Sequence, residues 1–420
     1  MTVTDSAGTA GHPGLAYDLL AAATVADPYP LLHQLQAEDP VHWSPQLHGW
    51  VLTRYADIAL ALKDPRLTAA RMVGQLDRLP EADRRELAPL RTSVAMWMGH
   101  TNRDDHVRMQ RVIKRYFTPA TVEQLRPRAQ AITDELIGGF ADRGHCEVVT
   151  ELAYPLPARV IADMLGVPTA DRDLLPGWSR DISAVFGQLD LDSLRQSQRS
   201  IVEMSEYMRP ILAARRAEPA DDLISMLLAA QAAGQIASED EILANCVLLL
   251  FAGHETTANL IGNGLYLLLR NPDQMALLRA EPTLLPGAIE EMLRVAGPAT
   301  ATTRLAVEPV ELAGRSIEAN QMVFLALGAG SRDPAQHADP DRFDVTRTGT
   351  RHLAFGQGTF YCLGAALARM EAQVCFGTLF ERLDGLRLQA DGPTWHSRSA
   401  FNRSLVTLPI EFTRIAESVE

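Results

Sequence analysis

One cysteine stands in a glycine-rich run, Phe355-Gly-Gln-Gly-Thr-Phe-Tyr-Cys362-Leu-Gly364, followed by Ala365-Ala-Leu-Ala-Arg369. The alanine-rich stretch predicts a helix that begins just after the cysteine. The first amides of a helix lack intrahelical partners and carry partial positive charge, so they stabilise a thiolate and temper its electron donation. Gly358 and Gly364 would let the backbone lie flat against a planar group. Two chemistries are open to this layout: a thiolate ligand, or a nucleophilic cysteine. The second needs an acid–base partner, and none is evident nearby.

A second group is Ala252-Gly-His-Glu-Thr-Thr257. Glycine inside a helix costs about 1 kcal/mol against alanine, so Gly253 marks a close approach to the backbone. Thr256 can hydrogen-bond back to the Ala252 carbonyl and loosen the local ladder. With Glu255 beside it, this makes a small polar niche in an apolar wall. A buried polar patch that bridges neighbouring helices would read the same way. A zinc-protease motif is excluded, because Ala258 stands where HExxH needs its second histidine. A third group, Glu291-Met-Leu-Arg294, puts opposite charges on one helical face, a pattern that is usually solvated and worth little.

These groups need elements to hold them. Ser238-x-x-Glu241 is a capping box, and Asn271-Pro272 ends the segment it opens. About 33 residues at ~1.5 Å rise give a rod of roughly 50 Å. Such a rod must cross the domain, with the niche in its middle. The apolar run Ile242–Leu269 is not a membrane span, because the cluster from His254 to Asn259 interrupts it. Apolar spacing predicts further helices over Glu123–Phe140, Val148–Leu165 and Leu191–Arg216. Strand signals are few: Val41-His-Trp, Trp50-Val-Leu-Thr, Val310-Glu-Leu, Met322-Val-Phe-Leu and Leu405 to Phe412. The fold class is therefore mainly α with small β-sheets (α+β).

The chain has 420 residues, a formal net charge of −13, 47% hydrophobic and 22% charged residues. That suits a globular protein with a sizeable core. It argues against nucleic-acid binding and against adhesion to an anionic membrane. Cys146, Cys246 and Cys375 lie among apolar residues and read as core thiols, which fits a reducing cytoplasm. No basic start precedes an apolar run at the N-terminus, so neither a signal peptide nor a membrane anchor is expected. Residues 1–14 read as a disordered tail and 15–420 as one domain.

In this order and at these separations, the three groups resemble the cytochrome P450 superfamily, of the soluble bacterial, actinobacterial type. The resemblance runs from about Asp27 to Phe412. It implies the P450 fold, with a long central helix over a haem and the cysteine loop under it. It makes the cofactor haem b (iron protoporphyrin IX) and Cys362 its axial ligand; thiolate ligation favours O–O cleavage. Glu255 and Thr256 match the acid–alcohol pair that relays protons during dioxygen activation, and Ala252 and Gly253 match the oxygen groove. Glu291 and Arg294 match a structural pair whose third member would be Arg342, with Arg347 as the substitute. Arg304 and His106 match propionate partners. Phe355 matches the ring beside the thiolate, with Gly356 and Gly364 flanking it.

Two positions depart from the pattern. Phe360 stands where the family has histidine or arginine, and Gln110 stands where HxxxR has its arginine. Uncompensated buried charge is costly, so replacements for these propionate partners are expected, with His100, Arg111 and His352 as candidates. Haem retention should be weaker than is usual in the family.

The same resemblance implies a ferredoxin and a ferredoxin reductase as partners, alongside dioxygen and a small-molecule substrate. The basic run Arg103, His106, Arg108, Arg111, Lys114 and Arg115 is either the ferredoxin-docking patch or a solvated helix face. The substrate pocket would involve Met72 to Trp97, the region around Trp178 and Phe186, Leu249, Ala252, Ala299 to Ala301 with Thr300 between them, and Phe401-Asn402. The leading function is a monooxygenase that hydroxylates or epoxidises a small or mid-sized organic substrate in secondary metabolism. The alternatives are phenol coupling or nitration on the same cofactor, or a non-catalytic binding module.

Overall fold

The computed structural model describes residues 17–183, 185, 190–396 and 403–415. The tail expected over residues 1–14 lies outside them. The long helix spans Glu239–Arg270. Its start is capped as the sequence predicts: the Ser238 hydroxyl accepts from Glu241 N at 3.1 Å. The return arm reaches one residue further than a standard box, with Glu241 Oε2 accepting from Ala237 N at 2.8 Å. The other Glu241 oxygen takes Arg108 at 2.5 Å, tying in the helix Arg103–Ile113. Most of the rod is buried on both sides of the niche. Among the described residues, no helix is long and apolar enough to cross a membrane.

Helices Pro155–Met164, Leu285–Ala296 and Ala365–Arg382 pack against the rod. Two of the expected helices appear nearly as read, at Pro119–Phe140 and Leu191–Ala217, capped by Thr118 and Asp190. The expected helix Val148–Leu165 is instead divided. Pro155 has no N–H to continue the ladder, and the chain makes a π-helical turn over Val149–Ala153, with Tyr154 N on Val149 O at 2.9 Å, before the α-helix restarts.

A five-stranded sheet runs Val41–Ser44, Gly49–Leu52, Met322–Leu325, Thr302–Ala306, Leu67–Thr68. Its pairs are antiparallel except Gly49–Leu52 with Met322–Leu325. Expected as one strand, Leu405–Phe412 forms two. Leu405–Thr407 pairs with Thr394–Trp395, and Pro409–Arg414 joins a sheet with His145–Glu147 and Leu383–Leu388. A hydrophobic cluster running from Met72 to Phe412 packs around the helices, and a second cluster backs the five-stranded sheet. The class is mainly α with small sheets, as the periodicity predicts.

Candidate active site

The cysteine loop is held by its own backbone. Cys362 N donates to Phe355 O at 2.9 Å and Gly356 N to Leu353 O at 2.8 Å. Gly356 and Gly358 adopt φ of 67° and 74°, the left-handed region that favours glycine. A side chain at Gly358 would also meet Leu62 O at 3.0 Å. Next to Gly364, by contrast, a Cβ would meet nothing within 4 Å. Helix Ala365–Arg382 starts immediately afterwards. Cys146, Cys246 and Cys375 are buried, but Cys362 is exposed. Protein nevertheless surrounds the Cys362 thiol closely enough that burial raises its pKa, while the Gly364 N–H and Arg369 pull it down.

The central helix has an accessible stretch of its own. Ala252 and Thr256 are exposed halfway along a rod that is otherwise largely buried. The Thr256 hydroxyl donates to Ala252 O at 2.9 Å, as its position predicts. Gly253 has a packing reason: a Cβ there would lie 3.3 Å from Ile161, so the close approach comes from the neighbouring helix. Burial raises the Glu255 carboxyl to about 7, and its Oε2 has no hydrogen-bond partner. Glu255 in turn helps to push the Tyr154 hydroxyl up, after burial. His254 is buried against Tyr154, with ring centroids 5.1 Å apart.

The propionate candidates separate. Arg304 is 5% exposed and donates to Thr302 Oγ1 and Thr303 O at 3.2 and 2.9 Å. Its guanidinium lies 5.3 Å over the Phe360 ring, and that ring lies 4.2 Å from His106. His106 contacts Met98 O and Thr359 O at 2.7 and 2.9 Å. Gln110 donates to the same Thr359 carbonyl at 3.3 Å, so it braces the cysteine loop. His100 sits close to Arg71 and Arg304, and burial together with those charges lowers it to about 3. Two expectations are corrected. Arg111 is exposed at the surface. His352 is committed to Glu290 at 3.1 Å, and Arg369 holds the same carboxylate at 2.6 Å. Burial alone would raise Glu290, but Arg369 and His352 bring it down to about 2. Phe355 covers this network, with Arg369 4.5 Å over its ring. Arg71, which no motif marks, joins Arg304 in the interior.

The structural pair is fully buried, contrary to the solvated pattern such spacing usually has. Arg294 meets Glu291 through two contacts at 2.7 and 2.8 Å, and neither side chain is accessible. Arg347, not Arg342, completes it, with Nε 3.1 Å from Glu291 Oε1. The Arg342 side chain is 65% exposed. Its carbonyl is what contributes, accepting from Arg294 at 3.1 Å.

Among the pocket candidates, Trp97 is 0% and Met72 3% exposed, so both are closed into the core and present almost no surface to a substrate. Trp178 is engaged with Tyr207 and Glu203. Leu249 and Thr300 are buried, and Ala299 is half-buried. Phe186, Phe401 and Asn402 lie outside the described residues.

A glycine-held cysteine loop and a central helix with an accessible stretch, in a mainly helical frame, fit a protein that holds a cofactor through a cysteine. The family model described as cytochrome P450 matches residues 188–393. Cytochrome P450 107B1 of Saccharopolyspora erythraea is 41% identical over 382 residues, 89% of this chain and 92% of that protein. The 6-deoxyerythronolide B hydroxylase of the same organism is 37% identical, over 91% of this chain and 94% of its own length. The crystal structure of CalO2 superposes with a TM-score of 0.88 at 34% identity, covering 95% of this chain and 99% of that one. The chain belongs to the cytochrome P450 family and is a monooxygenase. The family implies a haem-thiolate cofactor, and the residues fit one. Cys362 is exposed, and half-buried Arg71 and buried Arg304 offer cations that, among the described residues, no carboxylate pairs with.

Proposed function

We propose that residues 15–420 form a single haem-thiolate oxygenase domain that works in the cytoplasm. It would oxidise a small or mid-sized organic substrate of secondary metabolism, by hydroxylation or epoxidation. Cys362 would ligate haem b, with Gly364 N–H tempering the thiolate and Phe355 shielding it. Bound there, the haem iron would supply reductive activation of dioxygen and insertion of one oxygen atom. Thr256 lies next to Glu255 at the accessible stretch of the central helix. Glu255, with a pKa near 7, is suited to take protons from water and pass them to the Thr256 hydroxyl. Arg304 and His100 would hold the propionates, while His106, whose two ring nitrogens are on Met98 O and Thr359 O, would position the cysteine loop instead. Arg103, Arg111, Lys114 and Arg115 would receive a ferredoxin, which a ferredoxin reductase keeps supplied with electrons. The relative named a hydroxylase supports the reaction type.

The observation that carries this reading is that Cys362 is accessible within a dense surround and that Ala252 and Thr256 are accessible in a buried rod. The test is the optical spectrum of the reduced, carbon-monoxide-bound protein, wild type and Cys362→Ser, followed by turnover with surrogate ferredoxins. The reading expects a thiolate-type Soret band that Cys362→Ser abolishes. A protein that takes up no porphyrin, or a band untouched by that substitution, overturns it.

A further inference from the structure

Two guanidinium groups share one interior site. Strand Leu67–Thr68 pairs antiparallel with Thr302–Ala306, matching Thr68 with Leu305. A tight turn follows, with Arg71 N on Ala69 O at 2.8 Å, and it brings Arg71 back beside the partner strand. There Arg71 Nε donates to the Thr303 hydroxyl, and Arg304 donates to the Thr303 carbonyl. The sheet therefore fixes both cations. Burial lowers each of them to about 10, and the charge of Arg71 adds to the shift at Arg304. Among the described residues, neither forms an ion pair with a carboxylate. Arg304 is buried and Arg71 half-buried, and like charges held together with little water between them are unfavourable unless an anion joins them.

The shape of the deficit says which anion. Phe360 and Gln110 occupy the two places where the family resemblance expects cationic propionate partners. Phe360 packs its ring against Arg304 and, tilted, against His106, and Gln110 turns to Thr359 O. The haem of the reading above brings two propionates, and Arg71 supplies a guanidinium beside Arg304 that neither of those places does. We propose that Arg71 binds a haem propionate jointly with Arg304, replacing the partners that Phe360 and Gln110 do not provide. The inference rests on the haem-thiolate reading. It leaves Arg304 its usual partner and adds a second arginine from the segment after the first strands.

The experiment is haem transfer from ferric holoprotein to apomyoglobin, for wild type, Arg71→Gln, Arg71→Lys and Arg304→Gln. Loss of one charge-assisted hydrogen bond should speed haem release roughly tenfold or more in Arg71→Gln. Arg71→Lys should fall between it and wild type, and the iron midpoint potential should move in Arg71→Gln as a nearby positive charge is lost. If Arg71→Gln leaves expression without haem, the loading of Arg71→Lys against wild type carries the comparison. Release at the wild-type rate in Arg71→Gln while Arg304→Gln is fast overturns the proposal and leaves the haem reading standing. So does an effect of Arg71→Gln confined to the spin-state affinity for carboxylate-bearing compounds, which would make Arg71 a substrate contact. A wild-type protein that never holds haem removes both.

Discussion

Arg347 lays its Nε 3.1 Å from Glu291 Oε1, on a carboxylate that Arg294 already grips through both oxygens. The contact joins the 338–347 loop to helix Leu285–Ala296, and three further bonds from Arg347, to Ala338 O, Asp339 O and Arg342 O, spread the restraint. Arg347→Met should lower stability by about 1.5–3 kcal/mol, the cost of a lost charged hydrogen bond at a buried acceptor. Arg342→Met, which removes a solvated side chain, should stay within about 0.5 kcal/mol. Arg294→Met leaves Glu291 largely uncompensated and should cost about 3–5 kcal/mol. Urea denaturation of the holoproteins measures all three, and the reverse order for Arg342 and Arg347 would contradict the geometry.

Burial sets Glu255 near 7, above its ordinary value of 4.5. The folded protein thus holds this proton more tightly than the unfolded chain. The stabilisation is full below 4.5 and is lost as pH rises through about 7, a change of about 3 kcal/mol. Glu255→Gln resembles the protonated form. Relative to wild type it should gain stability on going from pH 5 to pH 8, as followed by thermal unfolding. Its catalytic cost should be larger. Product formed per electron pair should fall by at least ~10-fold, and the wild-type decline through pH 7 should flatten. A variant that keeps both coupling and pH profile would remove Glu255 from the proton route.

Phe360 packs its ring against Arg304 and His106 and offers no donor of its own. Phe360→His keeps a flat ring in that place and adds an N–H. Haem transfer to apomyoglobin should slow by roughly tenfold, the worth of one charged hydrogen bond. An unchanged rate would mean that the propionates are already fully partnered without this position.

How much of this was legible in the sequence varies with the physics of each element. The helix start at Ser238, most of the expected strands and the helical class follow from local patterns and the structure keeps them, while Leu405–Phe412 splits into two strands. The cysteine loop was readable because Gly356 and Gly358 take positive φ, which leaves a mark in residue type. Arg71 was not legible. Its importance comes from a strand pairing with residues more than two hundred positions away, and the sequence around it carries no signal beyond an arginine with no nearby acid. The choice of Arg347 over Arg342 was closed for the same reason. Both lie in one short loop, and only its fold decides which side chain turns inward. Met72 and Trp97 misled because apolar residues expected near a pocket read the same as residues that fill the core.

Electron entry gives the last test. Of the basic run, His106 is buried, and Arg108 is spoken for by Glu241 and Asp105. Arg103, Arg111, Lys114 and Arg115 remain exposed on and just after the helix that carries His106. A cationic face on a protein of net charge −13 would steer an acidic ferredoxin, and steering between exposed charges weakens as the Debye length shrinks from about 30 Å at 0.01 M salt to about 3 Å at 1 M. Arg111→Glu or Arg115→Glu should therefore slow ferredoxin-driven turnover several-fold at low salt and converge with wild type at high salt. Haem content and substrate-induced spin shift should not change. Arg108→Glu should behave differently, because it breaks the tie to the central helix, and its losses should appear at every ionic strength. Equal loss across all salt concentrations for Arg111 and Arg115 would mean that this face is a solvated helix surface and that the ferredoxin docks elsewhere.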